Sequence, residues 1–212
     1  MDPVITIFSL IVLLFSVIIH ELAHGYVANS LGDPTAKYAG RLTLNPIPHL
    51  DIFGSIILPL ILFISYASSG VFGPIIGWAK PVPVNPYNFK DQKWGDLKVS
   101  LAGPLTNIAL ALIFGLLLRF LPESFFITMP GLLIIFSFVV HINIILAIFN
   151  LVPIPPLDGS WVLFKFIPPQ FEYIKTFLHQ YGVFLLIFFI FFGGLQFLSA
   201  ITDALFSIIV GR

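Results

Sequence analysis

Apolar and polar positions alternate along this chain in long blocks rather than with the short period of a soluble domain. Residues 4–19 contain no charged side chain, after which the run meets His20-Glu21-Leu22-Ala23-His24 and resumes to Asn29. Residues 4–29 therefore predict one helix long enough for a hydrocarbon core of ~30 Å. Leu31-Gly32-Asp33-Pro34 carries the turn chemistry that ends it. A polar connection, 35–50, follows, with Lys37, Arg41 and His49. The apolar run 52–64 is short and holds Pro59, the pattern of a re-entrant or interfacial segment. Residues 70–85 are broken by Gly70, Gly73, Pro74, Gly77, Pro81 and Pro83, so Trp78 to Val84 reads as extended chain. Residues 97–121 and 129–150 predict two further spans. Beyond Gln180 there is length for one comfortable span plus a short helix, with Gly193-Gly194 between them.

Composition turns this pattern into a class. The 212 residues are 58% hydrophobic and 9% charged, with 24 phenylalanines and a mean hydropathy of +1.03. Soluble domains carry about 25% charge, so the expected fold is an all-α polytopic membrane protein. It has about five spanning helices, plus a re-entrant or extended element between the first helix and the one containing Gly103-Pro104. A single domain over 1–212 is expected, as the length leaves no room for a sizeable soluble module. The N-terminus lacks the basic region and cleavage pattern of a signal peptide, so the first run is expected to stay as a membrane helix. Zero net charge gives no reason to expect nucleic acid as a partner. The absence of cysteine excludes disulfides and thiolate metal sites, leaving His, Asp, Glu or Asn as donors.

The candidate chemistry starts at His20-Glu21-Leu22-Ala23-His24. On a helix His20 and His24 stand one turn apart on one face, where two imidazoles can grip a metal ion beside a glutamate able to act on its water. The alternative is a polar pair inside a bundle, but ionisable residues in membrane helices are costly and usually functional. Catalytic zinc sites commonly use three protein ligands plus a water. Asp158, which Asp158-Gly159 presents on a turn after the proline-broken stretch 150–157, is the best-placed third donor. His141 is a competitor that packing and hydrogen bonding explain more simply. Asn107 is a buried polar candidate that a neighbouring helix would also explain. His49 and Asp51 read better as an interfacial pair with Asp51 capping a helix than as ligands, and Asp203 reads as capping or interfacial.

One metal bound by His20, His24 and Asp158 requires the end of the first helix and residue 150 to lie at one face. Segments 97–121 and 129–150 form a hairpin, so an even number of crossings must separate Asn29 from Leu97. Segment 52–64 is therefore expected to dip and return through 70–80. On this topology Lys37, Arg41, Lys80, Lys90, Lys93, Lys98, Lys165 and Lys175 share the site's side, with Arg119 opposite. The positive-inside rule then places the site toward the cytoplasm and the N-terminus outside.

Three motifs have now accumulated: His20 to His24, Gly103-Pro104-Leu105-Thr106-Asn107, and Asn150 through Gly159. Together they resemble the site-2 protease family of intramembrane zinc metalloproteases, in its short bacterial and archaeal form without PDZ or CBS domains. The stretches Gly40 to Pro46 and Gly77 to Pro86 are also similar to that subgroup. The resemblance implies one Zn2+ on His20, His24 and Asp158, with Glu21 as catalytic base. It implies substrate-binding or oxyanion roles for Asn107 and Asn150, and a membrane re-entrant β element near Trp78 to Val84. It further implies a prokaryotic cell-membrane enzyme whose partners are transmembrane protein substrates and lipid. The short apolar segment 52–64 departs from the minimal family core. A divalent-cation transporter would also place His and Asp in membrane helices, but with polar residues spread across the bilayer; a non-catalytic scaffold would not need Glu21.

Overall fold

The computed structural model describes residues 3–69 and 78–211. Among them the chain is helical, with no strand: α1 (Pro3–Ser30), α2 (Thr35–Tyr38), α3 (Leu58–Ser69), α4 (Gly95–Phe120), α5 (Glu123–Thr128), α6 (Pro130–Asn150), α7 (Asp158–Phe166), α8 (Glu172–Phe189) and α9 (Leu195–Val210). Four apolar helical stretches are long enough to cross a membrane: Ile7–Ser30, Gly95–Phe120, Pro130–Asn150 and Pro169–Val210. The last comprises α8 and α9, which part company at Phe192 and Gly193; Gly193 has φ of +97°, a left-handed conformation that glycine adopts without strain. α8 starts at Glu172, eight residues before Gln180, because Tyr173, Phe177 and Tyr181 extend its apolar pattern among polar neighbours.

α1, α4 and α6 form the bundle; α9 lies against α4 and α6, and α7 against α4. Small residues let these helices approach. A Cβ on Gly115 would strike Ile209 at 2.3 Å, and Ala111 and Ala147 are fully buried at helix contacts. The apolar core of Ala111, Leu118, Phe126, Val140, Ile144 and Val210 fills the end of the bundle near the α4–α5 turn. The other end is polar and holds the site.

The path between α1 and α4 returns to its starting level, as an even number of crossings requires. Ala28, Phe89 and Val99 share one buried cluster, and the Lys90 amide donates to Leu31 O at 2.8 Å. Within this path, a π-helical turn at Ile52–Ile57 leads into α3. The excursion closes on itself: the Trp78 amide donates to Gly54 O at 3.2 Å, and the Lys80 amide to His49 O at 2.9 Å. Gly54 is needed here, because a Cβ would lie 2.3 Å from the Trp78 ring. Ends that meet fit a dip and return; residues 70–77 lie outside the described residues. Asp51 caps the π-helical turn by accepting from Gly54 N at 2.8 Å, and the buried His49 Nε2–H donates to Thr43 O.

After Trp78 the chain runs extended over the polar end of the bundle and pairs with no strand among the described residues. Arg41, 5% exposed, donates from Nη2 to the carbonyls of Lys80 (2.6 Å) and Pro81 (3.2 Å). At the far end Asp33 accepts from the Asn85 amide and from Asn88 Nδ2, at 2.7 and 2.8 Å, and also from Thr35. Between these anchors Val82 is buried while Pro81 and Pro83 face outward.

Candidate metal centre

α1 presents His20 and His24 one turn apart, both more than 90% buried. Each ring is turned by a partner at Nδ1. His20 Nδ1–H donates to Asn107 Oδ1 of α4 at 2.5 Å, and His24 Nδ1–H to the Val99 carbonyl at 2.7 Å. A carbonyl only accepts, so the proton of His24 sits on Nδ1 and its Nε2 is a bare lone pair; His20 is held likewise. The two Nε2 atoms stand 3.1 Å apart. Asp158 Oδ2 lies 3.2 Å from the first and 3.3 Å from the second, and makes no hydrogen bond.

Three lone pairs thus converge with no proton between them, an arrangement that repels itself unless a cation lies among them. The spacing suits zinc: ligands ~2.0–2.1 Å from a tetrahedral ion stand about 3.3 Å from one another. Gly103 lines the same point. A Cβ there would lie 2.5 Å from His20 Nε2 and His24 Nε2, so the floor of the cradle is bare backbone. Among the described residues, His20, His24 and Asp158 are the one group of three or more His, Asp or Glu residues whose donor atoms cluster closely enough to hold a metal.

Asp158 is delivered differently from the sequence expectation. It is the first residue of α7 rather than part of a turn. Gly159 continues the helix; its missing Cβ makes room for the Leu151 carbonyl, which would otherwise lie 2.2 Å away. The helix N-terminus favours a negative charge there. A carboxylate at that position is the form a metal needs.

The site opens into a cavity of about 320 Å³ lined also by Glu21, Val82, Val84, Asn150 and Trp161. Glu21 Oε2 accepts the Val82 amide at 2.7 Å, so the extended segment touches this carboxylate directly. Gly25, one turn further, leaves the room Val82 needs: its Cβ would be 3.0 Å from Val82 Cγ1. Asn150 is at the rim, its amide donating to Leu146 O within its own helix. Asn107 is elsewhere: fully buried behind His20, it donates to Asn143 Oδ1 at 2.7 Å, and Asn143 donates to Ser16 Oγ at 3.0 Å. His141 is far from this cluster, paired with Asp203 at 3.2 Å. Asp203 is accordingly no cap; it sits in the body of α9 because His141 faces it from α6.

Sequence reasoning passed over Ser16, Asn143 and Arg41. Asn143 and Ser16 carried a signal, as uncharged polar residues inside apolar runs, but no spacing links them to His20. Arg41 lies in the family-like stretch Gly40 to Pro46, but nothing along the sequence pairs it with the Lys80 and Pro81 carbonyls.

Comparison with known proteins places these residues in a family. The Peptidase family M50 model matches residues 125–189, a stretch that includes Asn150 and Asp158. A Bacillus subtilis protein named "Putative zinc metalloprotease YwhC" is 41% identical over 188 residues, covering 85% of this chain and 80% of its own length. "Putative zinc metalloprotease MJ0611" of Methanocaldococcus jannaschii is 34% identical over 162 residues, 74% of this chain and 69% of its own. "Putative zinc metalloprotease Rip2" of Mycolicibacterium smegmatis is 29% identical over 170 residues, with 80% and 61% covered. No solved structure matches significantly. With four apolar helices of spanning length and a three-donor cluster spaced for zinc, the chain belongs to peptidase family M50 and is a multi-pass membrane zinc metalloprotease.

Proposed function

We propose that this protein is an intramembrane endopeptidase that hydrolyses peptide bonds within or near transmembrane segments of other membrane proteins, as in regulated intramembrane proteolysis. The observation that carries this reading is the convergence of His20 Nε2, His24 Nε2 and Asp158 Oδ2 at the end of three membrane helices. His20, His24 and Asp158 would hold zinc. Bound there, zinc supplies a Lewis acid for the scissile carbonyl and lowers the pKa of a coordinated water toward ~7.

The remaining work falls to the chain's own residues. Two carboxylates of the cavity, Glu21 and Asp96, are not spent on the three-atom cluster, and Glu21 is the one adjacent to His20 on α1. It accepts the proton of the attacking water and delivers it to the leaving amine, so that one carboxylate serves both halves of the reaction. Asn107 holds His20 in the tautomer that leaves Nε2 free. Asn150, at the cavity rim, is the side chain in place to donate to the developing oxyanion once it gives up its bond to Leu146 O. A substrate helix must unwind to enter, because its backbone bonds are internally satisfied. Pro and Gly near the scissile bond favour that.

The cationic residues Lys37, Arg41, Lys80, Lys90, Lys93 and Lys98 lie on segments at the site's end of the bundle, while Arg119 lies at the other end of α4. The positive-inside rule then supports a cytoplasmic-facing site in the cell membrane.

The test is cleavage of a transmembrane model substrate by purified protein, alongside Glu21→Gln, with zinc measured in both. Wild type should cleave. Glu21→Gln should keep its zinc and lose at least ~100-fold in rate. Loss of zinc from Glu21→Gln, or unchanged cleavage, would reject the role given to Glu21.

A further inference from the structure

A second polar site lies away from the metal. Between α6 and α9 runs a groove of about 660 Å³, lined by Leu133, Phe138, Ser137, His141, Thr202 and Asp203 among others. It shares no lining residue with the cavity at the metal centre. At its centre His141 Nε2 meets Asp203 Oδ1 at 3.2 Å, with the two side chains 42% and 66% exposed.

The depth of this pair is the difficulty. His141 is eleven residues from the start of α6 and nine from its end, hence about 16 Å along the helix from Pro130. That is the middle of a bilayer. Lipid tails offer no hydrogen bond, and ionisable groups at this depth face protein or water rather than hydrocarbon. The neighbouring hydroxyls do not help: Ser137 Oγ donates to Leu133 O and Thr202 Oγ1 to Leu198 O, each in its own helix. The second nitrogen of His141 and the second oxygen of Asp203 have no hydrogen-bond partner among the described residues.

The outer face of α9 repeats the anomaly. Its exposed positions include Gln196, Ser199, Ala200, Asp203, Ala204 and Ser207, spaced three and four apart on one side. From 183 to 192 the exposed residues are bulky: Val183, Phe184, Ile187, Phe188, Phe191 and Phe192. Phenylalanine suits lipid; a small and polar stripe suits a closely packed helix.

We propose that a second copy of this chain covers the α6–α9 face, with α9 packed on α9 about a two-fold axis. Charge complementarity selects a copy rather than an unrelated helix. Within one subunit His141 uses one of its two ring nitrogens and Asp203 one of its two carboxyl oxygens. Each His141 can therefore bridge its own Asp203 and Asp203 of the partner subunit, and the reverse contact follows by symmetry. The four groups then close a ring.

The chain has no cysteine, so an introduced thiol is unique. Ala200→Cys and Ser199→Cys should form disulfide-linked dimers on mild oxidation in native membranes; Phe188→Cys, on the lipid-facing stretch, should not. In the Ala200→Cys background, His141→Asp and Asp203→His should each lower the dimer yield ~10-fold, and the double exchange should restore it. Zinc content of each variant verifies the fold. Fluorescence transfer between two labelled populations in lipid vesicles should give a dimer that persists on dilution with lipid. Absence of the Ala200→Cys and Ser199→Cys cross-links in zinc-loaded protein would overturn the proposal. So would cross-linking to a different protein in place of a copy, or yields indifferent to the charge exchange.

Discussion

Gly103 has no side chain at the point where two imidazoles converge, and one methyl group there would take the metal's place. Gly103→Ala should therefore lose zinc while leaving the helix intact or firmer, since Ala favours a helix over Gly by ~1 kcal/mol. Metal analysis paired with circular dichroism would separate those effects. Asn107 acts one bond further back. Asn107→Leu frees the His20 ring to turn and orphans Asn143, and zinc affinity should fall ~10–100-fold, read by competition with a chelator. The residues of the centre differ in how legible they were. His20 and His24 announced themselves by a four-residue spacing on one helix, which needs no tertiary information. Asp158 was reachable by elimination, as the acidic residue following an apolar span. The hydrogen bond from His20 to Asn107, and the chain onward to Asn143 and Ser16, spans three helices. No pattern along the sequence encodes which polar residues will face one another after packing.

The extended segment from Trp78 to Asn85 shows what an element owes to its anchors. Its prolines made it readable as extended chain, but not its course, which depends on Arg41 and Asp33, whose partners across the fold no sequence spacing reveals. Arg41 holds the Lys80 and Pro81 carbonyls, and the next amide, from Val82, reaches Glu21. Arg41→Ala should thus lower kcat/KM, by about tenfold if one hydrogen bond to a charged group is lost, with zinc content unchanged. At the other anchor, burial raises the Asp33 pKa, but hydrogen bonds from Thr35, Asn85 and Asn88 outweigh it and hold the carboxyl below its ordinary value. The folded state therefore binds this proton less readily than the unfolded state. Its stabilisation is complete above the ordinary aspartate pKa of about 3.9 and is lost as pH falls toward the lower folded value. Thermal unfolding of metal-free protein should weaken on that acid limb, and Asp33→Asn should flatten it. The turn expected at Asp158 became a helix start because a donor set against two buried imidazoles needs a rigid base, and α7 supplies one against α4.

Across the whole molecule, the apolar blocks in the sequence were enough to place α1, α4 and α6. They were not enough for the last quarter, where α8 and α9 follow each other across the break at Gly193. A metal gripped by both α1 and α7 should brace the bundle. Chelation should lower the thermal midpoint, added zinc should restore it, and Asp158→Ala should respond to neither. The ligand positions also carry a consequence for biosynthesis. Two donors belong to α1, and the third lies 134 residues after His24. Until Asp158 has been translated and α7 has docked, His20 and His24 have no carboxylate to complete the centre. A nascent copy therefore lacks a complete metal centre, and the hydrolytic activity that depends on it, throughout that interval.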